Sequence, residues 1–157
     1  MAELISKEHL RPSLLDRLTG EEQVMSFRKL RQSVLRDLEW LLNAGNLESS
    51  QDLSDYPEVR SSVLNFGVPE LTGKSASGTD ATALERALRQ AICNFEPRIL
   101  PDSLKIRVAV SDEELNRNAI VIEIEGELWM QPMPERLYLK TILDVELGKW
   151  EVKEMQG

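Results

Sequence analysis

The stretch Asn94-Phe95-Glu96-Pro97-Arg98-Ile99-Leu100-Pro101 limits this chain's fold most, because the period of its apolar residues changes there. Before it, Leu84, Leu88, Ala91, Ile92 and Phe95 recur at three- and four-residue steps, which predicts a helix over about 80–95. After it, Leu104, Ile106, Val108 and Val110 alternate with Lys105, Arg107 and Ala109, the pattern of a half-buried strand. Pro97 lacks an N–H and turns Glu96 away from helical geometry, so the helix should stop at Phe95 or Glu96. The break leaves an acid and a base, Glu96 and Arg98, on either side of a rigid proline, between apolar Phe95 and Ile99. Taken alone, this is also what an ordinary helix-to-strand joint with a local ion pair looks like.

Upstream the signal is helical. Phe27, Leu30, Val34, Leu38 and Leu41, widened by Leu35 and Leu42, predict an amphipathic helix over about 24–43, stopped by Asn43-Ala44-Gly45. Trp40 lies off the centre of that stripe, where core packing is its expected role and packing at an interface the alternative. Near the start, Pro12 and Ser13 open a helical turn with Leu14, Leu15 and Leu18 as its apolar contacts. Asp55 is placed to cap a short helix with Pro57 in its first turn, Val59, Val63 and Phe66 on its apolar side and Gly67 at its end. Residues 72–79 read as a small-residue loop. Its Gly73-Lys74-Ser75 is not a phosphate loop, because Pro69 stands where that motif needs glycine.

On the helix before the hinge, Glu85, Arg86, Arg89 and Gln90 are expected to face away from the apolar side. Downstream, Ile120, Ile122 and Ile124 form a second strand, with Gly126-Glu127 a tight turn or bulge before Leu128-Trp129-Met130. Leu137, Leu139, Thr141, Leu143 and Val145 alternate in a third strand, which turns at Gly148-Lys149 into Trp150-Glu151-Val152 as a hairpin. Helices first and strands later predict an α+β domain, with N-terminal and central helices packed on a C-terminal antiparallel-rich sheet.

The 157 residues suit one domain, and the short apolar runs leave no candidate membrane span. The first residues carry acids where a secretory signal would be basic and then apolar, so a cytoplasmic location is expected. Cys93 is the single cysteine and His9 the single histidine, which gives neither a disulfide nor a Cys/His metal set, and no cofactor is expected. The chain carries 27 acids against 19 bases, and residues 111–157 hold eleven acids against five bases. That balance argues against nucleic acid and against an anionic membrane surface as partners.

Glu96-Pro97-Arg98 resembles the Glu-Pro-Arg signature of the phage baseplate-wedge family called gene-product-twenty-five-like, whose bacterial branch is the TssE proteins of type VI secretion. Further similar segments follow in the family's order. They are Ser13-Leu14-Leu15-Asp16-Arg17-Leu18, then Val34 to Asn43, Tyr56-Pro57-Glu58-Val59, Ser62 to Gly67, Leu128-Trp129, and Pro132-Met133-Pro134-Glu135. The resemblance implies an arm with a short helical turn over 1–23 and one baseplate-wedge-like domain over 24–157. It also implies a structural protein that links wedge proteins TssF and TssG to sheath proteins TssB and TssC and helps to start sheath assembly. Glu96, Pro97 and Arg98 would then be the contact with the helical core bundle of the wedge. The alternative is a small regulatory binding module, anti-adaptor-like, on the same fold.

Some relatives have been labelled lysozyme-like, so glycoside hydrolysis needs weighing. It requires two suitably spaced carboxyl groups, one of them kept protonated. Arg98 beside Glu96 favours the ionised form, the wrong state for a general acid. Glu123, Glu125 and Glu127 read as the solvent side of a strand. No catalytic residue is expected.

Overall fold

The computed structural model describes residues 13–19, 26–70, 80–110, 119–129 and 133–155. Residues 1–12, the loop at 72–79, the polar segment 111–118 and residues 130–132 lie outside the described residues. Among the described residues four α-helices come first: α1 (Leu14–Leu18), α2 (Phe27–Leu42), α3 (Pro57–Arg60) and α4 (Ala81–Phe95). Four strands follow: β1 (Lys105–Val110), β2 (Ala119–Leu128), β3 (Glu135–Asp144) and β4 (Lys149–Glu154). They form one antiparallel sheet in the order β1-β2-β3-β4, so the expected α+β arrangement is the one found.

Each long helix begins on a side-chain cap. Ser26 Oγ accepts the Lys29 N–H ahead of α2, and an Asp80 carboxylate oxygen accepts the Ala83 N–H ahead of α4. The apolar stripes then meet one face of the sheet. Val34, Leu38, Leu41 and Leu42 of α2 and Leu84, Leu88, Ala91 and Ile92 of α4 join Ile120, Ile122, Ile124, Leu137, Leu139, Leu143 and Trp150 in one core. Full burial of such a side chain is worth roughly 1.5–3 kcal/mol, so these two stripes are the main attachment of the helical layer. Thr141 is fully buried among them, and its hydroxyl donates to the Ile122 carbonyl across the strand pair.

On the opposite face charges alternate in register. Arg107, Glu123 and Lys140 stand side by side across β1, β2 and β3, and Glu125 stands between Lys105 and Tyr138. Opposite charges facing each other across strands suit a water-facing surface.

Several expectations are corrected here. Gly126 is neither turn nor bulge: it pairs with Leu137 of β3, and β2 runs straight through it to Leu128. A Cβ at Gly126 would sit 3.1 Å from Ile99 Cγ2, so glycine is there for close packing against the hinge. Asp55 does not cap α3, whose preceding residue is Tyr56, with no side-chain cap bond. The apolar side expected of a longer helix does not form either. After Arg60 the chain makes a separate 3₁₀ turn (Val63–Asn65), and Val63 points to solvent. Gly67 does end the segment, at φ 127°, a conformation that favours glycine. Trp40 is half exposed rather than core, with the Arg36 guanidinium stacked 4.9 Å from its ring centroid.

Two residues expected to face away on α4 reach across to neighbouring backbone, Arg89 while still exposed. Arg89 donates to the carbonyls of Leu104 and Pro101, and a Glu85 carboxylate oxygen accepts the Val108 N–H of β1. On the far edge, Asn43 after α2 both donates to the Trp150 carbonyl and accepts the Trp150 N–H of β4.

Candidate functional site

Pro97 ends α4 as the sequence requires, and the next residues are stitched to the end of β2. The Trp129 N–H donates to the Arg98 carbonyl at 2.7 Å, and the Leu100 N–H donates to the Glu127 carbonyl at 2.8 Å. The Ser103 hydroxyl accepts the Glu127 N–H, which closes the joint on its other side. The hinge is therefore an extra, short strand-like partner of β2, anchored by the Ile99 and Leu128 bridge.

The three signature residues take different positions. Glu96 is buried, 2% exposed, Arg98 is half-buried, and Pro97 is exposed. Arg98 binds Glu96 through two nitrogens: Nε donates to Oε1 at 2.6 Å and Nη2 donates to Oε2. Its backbone N–H also donates to Glu96 Oε1. The rest of the guanidinium reaches α2, where Nη2 donates to Asp37 Oδ2 at 2.6 Å and Nη1 donates to Ser33 Oγ at 2.9 Å. Burial disfavours the charge on Arg98, but pairing with Glu96 and Asp37 outweighs it, and the guanidinium is held more firmly protonated than usual.

Ser33 passes the network on, since its hydroxyl donates to Asp16 Oδ2 at 3.0 Å. Asp16 is 3% exposed and also takes bonds from Arg36 and from the Ser13 hydroxyl. The Arg36 bond, joined by those from Ser13 and Ser33, brings the Asp16 pKa down to about 2 against the cost of its burial. Arg36 also binds Asp37, so Asp16, Arg36, Asp37, Arg98 and Glu96 form one chain of charges under the hinge. Among the described residues no buried side-chain nitrogen or oxygen lacks a partner.

Above this network lies a half-open groove of about 700 Å³. Leu14 and Leu15 of α1, Trp40 of α2, Phe66, Pro97 and Trp129 line it, with Asp37, Glu96 and Arg98 at its base. Phe66 packs edge-on against Phe95, ring centroids 5.3 Å apart, which fixes one wall. The sequence pointed to the hinge but not to the groove, whose walls come from segments far apart in the chain. It also assigned Leu14, Leu15 and Leu18 to docking contacts of α1, whereas all three are exposed and the polar Asp16 is what docks.

The acids weighed for hydrolysis are held elsewhere. Glu123, Glu125 and Glu127 sit on the charged outer face of β2, opposite the face that packs on the helices, each beside a basic residue of a neighbouring strand. Glu96 is tied into the ion network. Among the described residues no cluster of His, Cys, Asp and Glu is fit to hold a metal, and no helix is long and apolar enough to cross a membrane. Cys93 is a free, half-buried thiol packed beside the core.

The sequence model of the family described as baseplate wedge protein gp25 matches residues 28–133, from the first turn of α2 to just short of β3, and takes in the whole hinge. No curated protein matches the chain, and no solved structure does.

Proposed function

Because the chain belongs to the baseplate wedge protein gp25 family, we propose that it is the TssE subunit of a type VI secretion baseplate, a structural part and not an enzyme. In this reading the hinge docks on wedge proteins TssF and TssG, and the sheet receives sheath proteins TssB and TssC. The observation that carries the reading is the way the signature is built. Glu96 and Arg98 neutralise each other beneath the surface and hold Pro97 at the rim of an apolar groove. A rigid rim beside exposed aromatic side chains suits a protein surface, since interface centres favour tryptophan and desolvated pockets.

The sheath side of the proposal is supported by topology. β4 is an edge strand, and its outward charges Lys149, Glu151 and Lys153 are the kind that guard an open edge before a partner strand covers it.

Co-purification tests the wedge half. Trp129→Ser, at a half-exposed position on the groove, should reduce capture of TssF and TssG at least tenfold, while Val63→Ser, exposed and outside the groove lining, should leave it unchanged. Equal capture by both variants and the parent would refute the docking assignment.

A further inference from the structure

Helix α1 is amphipathic in the wrong sense for a docked helix. Leu14, Leu15 and Leu18 fall on one side of its single turn, with Asp16 on the other. The leucines face solvent, Leu14 at 69% and Leu18 at 76% exposure, while Asp16 is buried against Ser33 and Arg36. The Ser13 hydroxyl braces the same carboxylate and its oxygen accepts the Asp16 N–H. Polar contacts thus pin the turn to α2, and the apolar side is turned outward to form a wall of the groove.

Three observations define what that wall can receive. First, on the hinge side of the groove the backbone donors are already taken: Phe66 N–H by Val63, Glu96 N–H by Ile92, Arg98 N–H by Glu96, and Trp129 N–H by Arg98, while Pro97 has none. An extended peptide would find few backbone donors there, whereas a helix satisfies its own backbone. Second, the network at the base holds three carboxylates, Asp16, Asp37 and Glu96, against two guanidiniums, Arg36 and Arg98. Of these groups Asp37, Glu96 and Arg98 line the groove, two carboxylates to one guanidinium, so its charged lining carries one surplus negative charge. Third, a second copy of this chain would bring the same surplus and a net charge of −8, so like copies repel.

We infer that α1 is a working wall of the docking site, and that Leu14 and Leu15 together with Pro97 and Trp129 clasp one amphipathic helix carrying a lysine or arginine opposite Asp37. This rests on the hinge being the stretch that docks on a wedge helix, and it adds α1 as a second wall and the charge of the partner element.

Photo-crosslinking of the full chain separates the two claims. Benzoylphenylalanine is placed singly at Leu14, at Pro97 and, as a control, at Val63, with TssF and TssG co-expressed. The expected result is that Leu14 and Pro97 label the same helix of one wedge protein, in a stretch with apolar residues three or four apart and at least one basic residue. Labelling from Pro97 without Leu14 leaves the hinge assignment standing and overturns the role of α1. No wedge labelling from Pro97 overturns the hinge assignment, and the inference with it. Links from Leu14 to a second copy or to residues 1–12 of its own chain also overturn the inference. A binding measurement gives a second readout. Leu14→Ser with Leu15→Ser, both at exposed positions, should weaken wedge binding tenfold or more with an unchanged melting transition, and Asp37→Lys should weaken it further. Unchanged affinity in the double serine variant would remove α1 from the site.

Discussion

Arg98→Ala is the sharpest test of the hinge, because the side chain serves three elements at once. It neutralises buried Glu96 at the end of α4, holds Asp37 and Ser33 on α2, and sits on the segment paired with β2. Removing it leaves the Glu96 carboxylate 2% exposed with no charged partner. Breaking a buried pair by deleting one member costs about 3–5 kcal/mol. Arg98 keeps 18% of its side-chain surface in water, which favours the lower end, about 3 kcal/mol. For a domain of this size that corresponds to a fall in Tm of roughly 6–12 °C. The measurement is thermal unfolding by circular dichroism at neutral pH, with Glu96→Gln and the double variant completing a cycle. The double variant should be destabilised by much less than the sum of the two singles, because it no longer holds a buried Glu96 carboxylate without its partner. An Arg98→Ala protein melting within about 1 °C of the parent would refute the argument that the signature charges are an internal brace. Wedge binding should weaken as well, since Pro97 is positioned by the same contacts.

Three further expectations follow from the same geometry. Asp16 has its folded pKa lowered to about 2 from 3.8, so its contribution is complete above about pH 4 and is lost as pH falls through about 2. Half-exposed Arg36 is screened by water, so the contribution is on the order of 1–2 kcal/mol, and the stability gap between parent and Asp16→Asn should close across that acid window in a urea titration. Gly67→Ala should cost about 1–3 kcal/mol, because φ is 127° and the new Cβ would lie 2.4 Å from the Ala44 carbonyl oxygen; a melt equal to the parent's would contradict it. Added TssB–TssC should slow amide exchange at Val152 and Glu154 while α2 is unchanged, and equal slowing in both would point to general stabilisation instead of strand addition.

The main elements were legible because each is written locally. The two amphipathic stripes, the proline break and the change to alternating residues need only neighbours in sequence, and they locate α2, α4 and the four strands. What escaped was written between distant residues. The leucines of α1 look like core until Ser33 and Arg36, on another helix, claim Asp16. Trp40 sits one residue from a buried stripe, and its exposure is decided by Arg36 and by the open groove. Gly126 resembles a turn residue, yet its role is to admit Ile99 from the hinge. Glu85 and Arg89 have the spacing of a solvated face, but their reach takes them to backbone groups on β1 and the turn before it. At the hinge, the sequence singles out Glu96, Pro97 and Arg98, but that Glu96 is buried, Arg98 half-buried and Pro97 exposed depends on α2 and β2 packing around them.

Asn43 has a consequence for how a neighbouring strand would align. Its amide fills both outward-facing backbone positions of Trp150, as an incoming peptide would. Because outward groups recur every second residue along an antiparallel edge, the next outward-facing positions on β4 are at Val152 and then Glu154. A strand laid beside β4 is therefore stopped on the turn side and cannot slide two residues towards Gly148 without displacing Asn43. A slip of a single residue would turn its side chains to the wrong face of the sheet. The residue that caps the end of a helix thus acts as a ruler mark, and Asn43→Ala should let the same partner bind in more than one register.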